Sequence, residues 1–191
     1  MSDRIVYFMR GLNCCGKSTR ARELAGNSGK VIEVDAYFNI QTEDGVKYKF
    51  RRYDLDKARK YVYRELKRAM RLGISPIIID RGNSPSAYTK RLVKRVITSG
   101  YTPKLAEPTS DLWKTLRHMM ENRNSVDSKS FAEFAQKIST LSLETHWVSS
   151  EKALKKIMSY PVNVTIDDFL NFTEEISNKI NYIYEISDSD K

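Results

Sequence analysis

The sequence predicts an α/β fold: a parallel sheet of four or five strands with helices on both faces. Three observations predict it. Short apolar runs alternate with longer helical patterns through the first hundred residues, the pattern of parallel strands joined by crossover helices. Gly11–Ser18, read G-L-N-C-C-G-K-S, fits G-x-x-x-x-G-K-[ST], a phosphate-cradling loop between a strand and a helix. Gly11, Asp35, Asp80 and Glu107 each close an apolar run, where such sheets collect functional residues.

The first strand is Ile5–Met9, within about residues 4–10, and runs into the loop. The helix that follows covers 17–26 and stops near Gly26. Val31–Val34 is the second strand, ending at Asp35, and 54–72 is a helix. Ile77–Ile79 is the third strand, ending at Asp80, with Pro76 tolerable at its start. A helix over 85–99 leads to a fourth strand around Thr102–Glu107. After Pro108 the pattern turns helical: 111–122 with Trp113 and Leu116 inward, a polar break over 122–130, then 131–143, 150–158 and 165–180. Thr165 with Asp168 reads as a capping box. Tyr160–Val164 reads as a short strand, and the tail Ser187–Lys191 as loose. The chain is thus one domain, 1–191, with a lid region at about 111–145 and a C-terminal helical extension at about 150–191.

Composition narrows the function. The chain has 191 residues, 40% of them hydrophobic, enough for one sizeable core. No signal peptide and no membrane-length apolar run is seen, and no feature asks for an obligate protein partner. The two cysteines are adjacent, so they form no disulfide framework, and a reducing, cytoplasmic setting is expected. Residues 1–100 hold 22 Lys and Arg against 10 Asp and Glu; the rest hold 11 against 14, for a net charge of +9. A basic half favours a polyanion, here a nucleic acid, DNA or RNA.

The motif residues carry the chemistry. Gly11 and Gly16 can take backbone angles closed to other residues, so the chain wraps an anion. Asn13, Cys14, Cys15 and Thr19 complete the loop around it, with amides directed at the anion from a helix N-terminus. Lys17 reaches the β/γ-phosphates, and the Ser18 hydroxyl binds Mg²⁺. Asp80 after an apolar strand helps order that ion. Asp35 is placed to accept a proton from an attacking hydroxyl. Lys47–Tyr53 interleaves cations with aromatics, as single-stranded nucleic acid binders do; a half-buried edge strand with alternate faces is the second reading. Arg123, in the polar break, could close over phosphates. His118 and His146 make no metal spacing with the cysteines, and the absence of N-K-x-D favours ATP over GTP.

The order RGLNCCGKSTRAREL, VIEVDAYF, GISPIIIDRGN, GYTPKLAEP and ENRN resembles the polynucleotide-kinase branch of P-loop kinases, over roughly residues 4–124. That branch includes bacteriophage 5′-hydroxyl kinases and kinase-like domains of some RNA-processing proteins. The resemblance implies a P-loop kinase-like three-layer sandwich with a helical lid, using ATP and Mg²⁺. It implies catalytic roles for Lys17, Asp35 as general base and Arg123 as lid arginine. Tyr37, Arg51, Arg52, Arg81 and Asn83 would face the acceptor, Asn83 matching an asparagine usual in the branch. The chain departs from the pattern in three places. Arg81-Gly82 stand inside the usual D-[NT]-[TN]-N, N-C-C-G replaces P-G-S-G, and no H-G-V-P follows the arginine. These leave ATP binding expected and the acceptor open: a 5′-OH end first, a hydroxymethylated base within DNA, a small metabolite or nucleoside, or no transfer at all in a nucleotide-binding switch.

Overall fold

The structure, a computed structural model, describes residues 3–142 and 148–173. Its elements are β1 (Ile5–Met9), α1 (Lys17–Ala25), β2 (Lys30–Glu33), β3 (Asn39–Thr42), β4 (Gly45–Tyr48), α2 (Leu55–Arg71), β5 (Ile77–Asp80), α3 (Ala87–Thr98), β6 (Thr102–Ala106), α4 (Asp111–Glu121), α5 (Ser128–Ser142), α6 (Ser150–Ser159) and α7 (Ile166–Leu170). Short 3₁₀ turns cover Asp35–Phe38, Arg52–Asp54 and Arg123–Ser125.

Four strands form one parallel sheet in the order β2-β5-β1-β6. The two central strands are apolar on both faces because helices cover both. Side chains alternate across the pleat. Val6 and Phe8 therefore meet Val62 and Leu66 of α2, Leu92 and Val96 of α3, and Phe169 of α7. Met9 and Ile78 point to the other face, against Ala21 and Ala25 of α1. The three-layer expectation holds, with four strands in the parallel sheet among the described residues. A third cluster gathers α4, α5 and α6 around Trp113, Leu116, Phe131, Ile138 and Ile157, and it reaches Leu12 and Cys15 of the phosphate loop.

Three local readings change. β3 and β4 form an antiparallel hairpin, with Thr42 opposite Gly45, that splits the basic-aromatic stretch between a strand and a 3₁₀ turn. Residues 160–165 form no strand. Pro161 has no N–H to donate to a ladder, and the Arg10 guanidinium takes the carbonyls of Pro161 and Val162 instead. The capping box at Thr165 and Asp168 is present, but α7 ends at Leu170. The rest of that expected helix from residue 174, the end of the lid region beyond 142, His146 and the tail lie outside the described residues.

Candidate active site

The phosphate loop leaves β1 at Arg10 and enters α1 at Gly16. Gly16 sits at φ 89°, ψ 21°, so the backbone turns into the helix left-handed. At Gly11 a side chain would press on Pro108: a Cβ would lie 3.0 Å from the proline Cδ. Cys14, at φ 60°, is the one non-glycine residue with positive φ among the described residues. It stands where the resembled P-G-S-G pattern has glycine, and a non-glycine residue in this region costs on the order of 1–3 kcal/mol.

Ser18 and Thr19 lie in the first turn of α1, which has no acidic residue to occupy its positive end. Lys17 folds its ammonium onto the Leu12 carbonyl at 2.6 Å, inside the loop. Burial lowers its pKa, opposed by the nearby Asp80 carboxylate. A phosphate in the loop would restore the opposite charge that favours the ammonium form. Burial pushes the Cys15 thiol up to about 11, so it is a neutral thiol at physiological pH and packs as an apolar group.

Asp80 ends β5, largely buried at 8% exposure, close enough to Lys17 to bias its charge. The β2–β5 register sets Asp80 opposite Glu33. Two residues later Asp35 opens the 3₁₀ turn at the carboxyl end of β2. Among the described residues no group of three His, Cys, Asp or Glu could hold a metal ion alone. The Ser18 hydroxyl at the start of α1 and the Asp80 carboxylate at the end of β5 are oxygen donors, the kind Mg²⁺ takes beside waters and phosphate oxygens. Ser18 and Asp80 would be its protein ligands.

The acceptor-side residues divide. Tyr37 packs its ring on Phe38 and on Tyr61 of α2, at 5.4 and 5.9 Å between centroids. Beyond it Arg51 and Arg52 are exposed or nearly so, flanked by Phe50 and Tyr53, which are 52% and 76% exposed. Arg81 and Asn83 turn inward. The Arg81 guanidinium lies 4.8 Å over the Tyr88 ring, and burial lowers its pKa. The Asn83 amide donates to the carbonyls of Met9 (2.7 Å) and Ile79 (3.1 Å), stapling the ends of β1 and β5. Arg123 donates to the Ile157 and Tyr160 carbonyls at 3.2 and 3.3 Å, closing the C-terminal end of α6 rather than reaching the phosphate loop. The fold thus brings together the loop, Lys17, Ser18 and Asp80. Asp35 and Tyr37 stand on the neighbouring strand end, and Arg123 is docked elsewhere.

Sequence reading missed the supports of the loop. Arg10 is 1% exposed, and a buried guanidinium needs partners. It finds the carbonyls of Pro161 and Val162, the Tyr160 ring at 5.1 Å and Glu107 at 4.0 Å. Glu107 also accepts from Trp113 Nε1 (3.1 Å) and Arg117 Nε (2.7 Å). Ser110 caps α4 by accepting from the Trp113 amide, and donates its hydroxyl to the Cys15 carbonyl at 2.8 Å. Ser110 had a legible signal, a serine opening a helix after Pro108-Thr109; Arg10 had none beyond a charge at the end of an apolar run. Beside these supports an open cleft of ≈ 390 Å³ lies between β6 and residues 162–165, lined by Glu107, Arg117, Asn163 and Thr165 among others.

The profile of an AAA domain family matches residues 6–141, from β1 through nearly all of α5. The chain belongs to that family. The AAA domain match thus takes in the phosphate loop, Asp35, Asp80 and Arg123, and it fits the nucleotide-binding geometry of a P-loop NTPase fold. Among solved structures, the AAA domain resembles a candidate kinase from Chloroflexus aurantiacus, at 18% identity and a TM-score of 0.51 over 86% of this chain and 85% of that one. At that identity the likeness is one of fold. Among the described residues no helix is long and apolar enough to cross a membrane.

Proposed function

We propose that this AAA domain is an ATP-dependent phosphotransferase acting on a hydroxyl of a nucleic acid, most naturally the 5′-OH end of a strand. The observation that carries the reading is the placing of Asp35. It stands at the carboxyl end of β2, beside the Asp80 strand end, in a turn whose Phe38 packs on Phe50 of the exposed cationic-aromatic segment at 5.0 Å. The fold family of the Chloroflexus aurantiacus protein agrees with kinase chemistry.

In this reading the loop amides and Lys17 hold the β- and γ-phosphates, and the cleft beside β6 has room for the nucleoside. Mg²⁺, held through Ser18 and Asp80, would offset phosphate charge. Asp35 takes the proton of the acceptor hydroxyl as its oxygen bonds to the γ-phosphorus. The bond from that phosphorus to the β–γ bridging oxygen breaks, and ADP leaves. Positioning and charge stabilisation supply most of the rate in such transfers.

One observation favours a second acceptor. A Cβ on Gly82 would meet only the Gly11 carbonyl, at 3.9 Å, so the loop after β5 leaves room for a bulkier group such as a hydroxymethylated base flipped from a duplex. One experiment separates these readings: γ-labelled ATP with 5′-OH oligonucleotides, covalently closed circles carrying hydroxymethylated bases, nucleosides and sugars, with Lys17→Ala as the blank. Label on the 5′-OH oligonucleotides is expected. Label on the circles alone selects the base-directed reading, and label on small molecules alone overturns a nucleic acid acceptor.

A further inference from the structure

The excess charge of this protein is not spread over its surface. α2 carries seven Lys and Arg against Asp56 and Glu65, and neighbouring α3 carries four against none. Those two helices alone match the net charge of the whole chain, +9. They lie side by side on one face of the sheet, sharing a core and joined where Tyr88 donates to the Arg59 carbonyl at 3.0 Å.

Within α2 the cations are ordered. Ala58, Val62, Leu66, Ala69 and Met70 are its buried residues. At 100° per residue, Lys57, Lys60, Arg64, Arg68 and Arg71 fall on the opposite side, and all five are exposed. Among the described residues Lys57 has a carboxylate at 2.8 Å, Asp54, whereas Lys60, Arg64, Arg68 and Arg71 form no ion pair. The stripe spans roughly 20 Å at 1.5 Å rise per residue. Its near end adjoins the proposed transfer site, because the Tyr37 ring two residues past Asp35 packs on Tyr61 of α2.

We propose that the outer face of α2 is a docking track for the sugar-phosphate backbone of a nucleic acid strand. Guanidiniums in a row with no carboxylate partner suit phosphates, which they bind in bidentate fashion. A strand entering the acceptor site past Arg51 and Arg52 would continue along this helix, away from the chemistry. A lipid surface fits less well: the large exposed apolar residues on these two helices are Leu72, just past the end of α2, and Ile97 near the end of α3, leaving the stripe itself without anchors. The direction of the track rests on the proposed acceptor site; the binding itself does not.

The test compares the protein with a variant carrying Lys60→Gln, Arg64→Gln, Arg68→Gln and Arg71→Gln. Binding of a labelled 20-nucleotide single strand is followed by fluorescence anisotropy without ATP, across a salt series. The variant should bind at least about tenfold more weakly near 100 mM salt. Its log–log salt slope should fall by about 3, because each phosphate that a cation neutralises on a single strand adds roughly 0.7 to the slope. Affinity for ATP should stay unchanged, which also shows that the variant is folded. Equal affinity and slope in the two proteins would overturn the track. Binding to phosphatidylserine vesicles that the variant loses, with no strand binding in either protein, would overturn it in favour of a membrane. Strand binding that depends on the stripe, in a protein with no transfer to any acceptor, would uphold the track and sink the proposed activity alone.

Discussion

Asp35 and Asp80 are two aspartates at two strand ends with different surroundings. Asp80 is largely buried beside Lys17, which suits a charge-ordering role, whereas Asp35 opens a turn at the rim of the site. Asp35→Asn keeps shape and removes basicity. ATP binding should survive while kcat falls by about 10²–10⁴, the usual worth of a general base; lost ATP binding in an isothermal titration would assign Asp35 to the metal or the scaffold. Cys14 is the other informative residue. Its backbone is left-handed at φ 60°, a conformation that costs an L-residue about 1–2 kcal/mol and glycine nothing. Part of that gain is returned as the greater unfolded-state freedom of glycine. Cys14→Gly should therefore leave the urea midpoint unchanged or raise it, with ATP affinity retained. A clear loss of stability would mean that the thiol makes a contact worth more than the backbone strain.

At the scale of elements, the hairpin β3–β4 and the α4 N-terminus bracket the site from opposite sides. The hairpin leads into Arg51 and Arg52, and the Phe50 ring just before them packs on Phe38, the neighbour of Tyr37, at 5.0 Å. Replacing both arginines by Ala should raise KM for oligonucleotides and flatten its salt dependence, with KM for ATP unchanged. Steady-state kinetics at two salt concentrations decides the point, and identical values for both proteins would make the segment a plain edge hairpin. On the other side, the Ser110 hydroxyl both caps α4 and holds the Cys15 carbonyl at 2.8 Å. Loss of an N-cap costs about 1 kcal/mol. Ser110→Ala should lower stability by that order and also weaken ATP binding, because the phosphate loop loses a tether. Reduced stability with untouched ATP affinity would confine Ser110 to helix capping.

For the whole molecule, the α4–α6 cluster is as much a buttress as a cover. Leu12 and Cys15 of the phosphate loop belong to the same apolar cluster as Trp113, Phe131 and Ile157. Any movement of these helices therefore shifts the packing under the loop. Trp113 is 1% exposed, packs edge-on to Tyr160 at 5.4 Å and donates to Glu107. Trp113→Ala should destabilise by about 3–5 kcal/mol through cavity formation, and the unfolding midpoint should respond more weakly to added ATP than in the parent protein. A normal ATP-induced shift in the variant would show that the buttress and the loop are independent.

The alternating apolar runs and the G-x-x-x-x-G-K-S spacing were enough to determine the parallel sheet, the order of the helices that cover it and the phosphate loop, because these rest on local periodicity and on backbone freedom at two glycines. The Thr165–Asp168 capping box was legible for the same reason: both partners lie within one turn. The hairpin was half legible, since Asp44-Gly45 signals a turn but the pairing depends on where the 3₁₀ turn at Asp35–Phe38 delivers the chain. Only the tertiary structure decided what supports the loop. Arg10 reaches across 151 residues to Pro161, and Ser110 across 95 to Cys15, distances over which sequence patterns carry no signal. Tertiary structure likewise turned Asn83 into a staple between strand ends and docked Arg123 on α6. A polar side chain bonds whatever unsatisfied groups the packing places beside it, and that choice is made after the chain has collapsed.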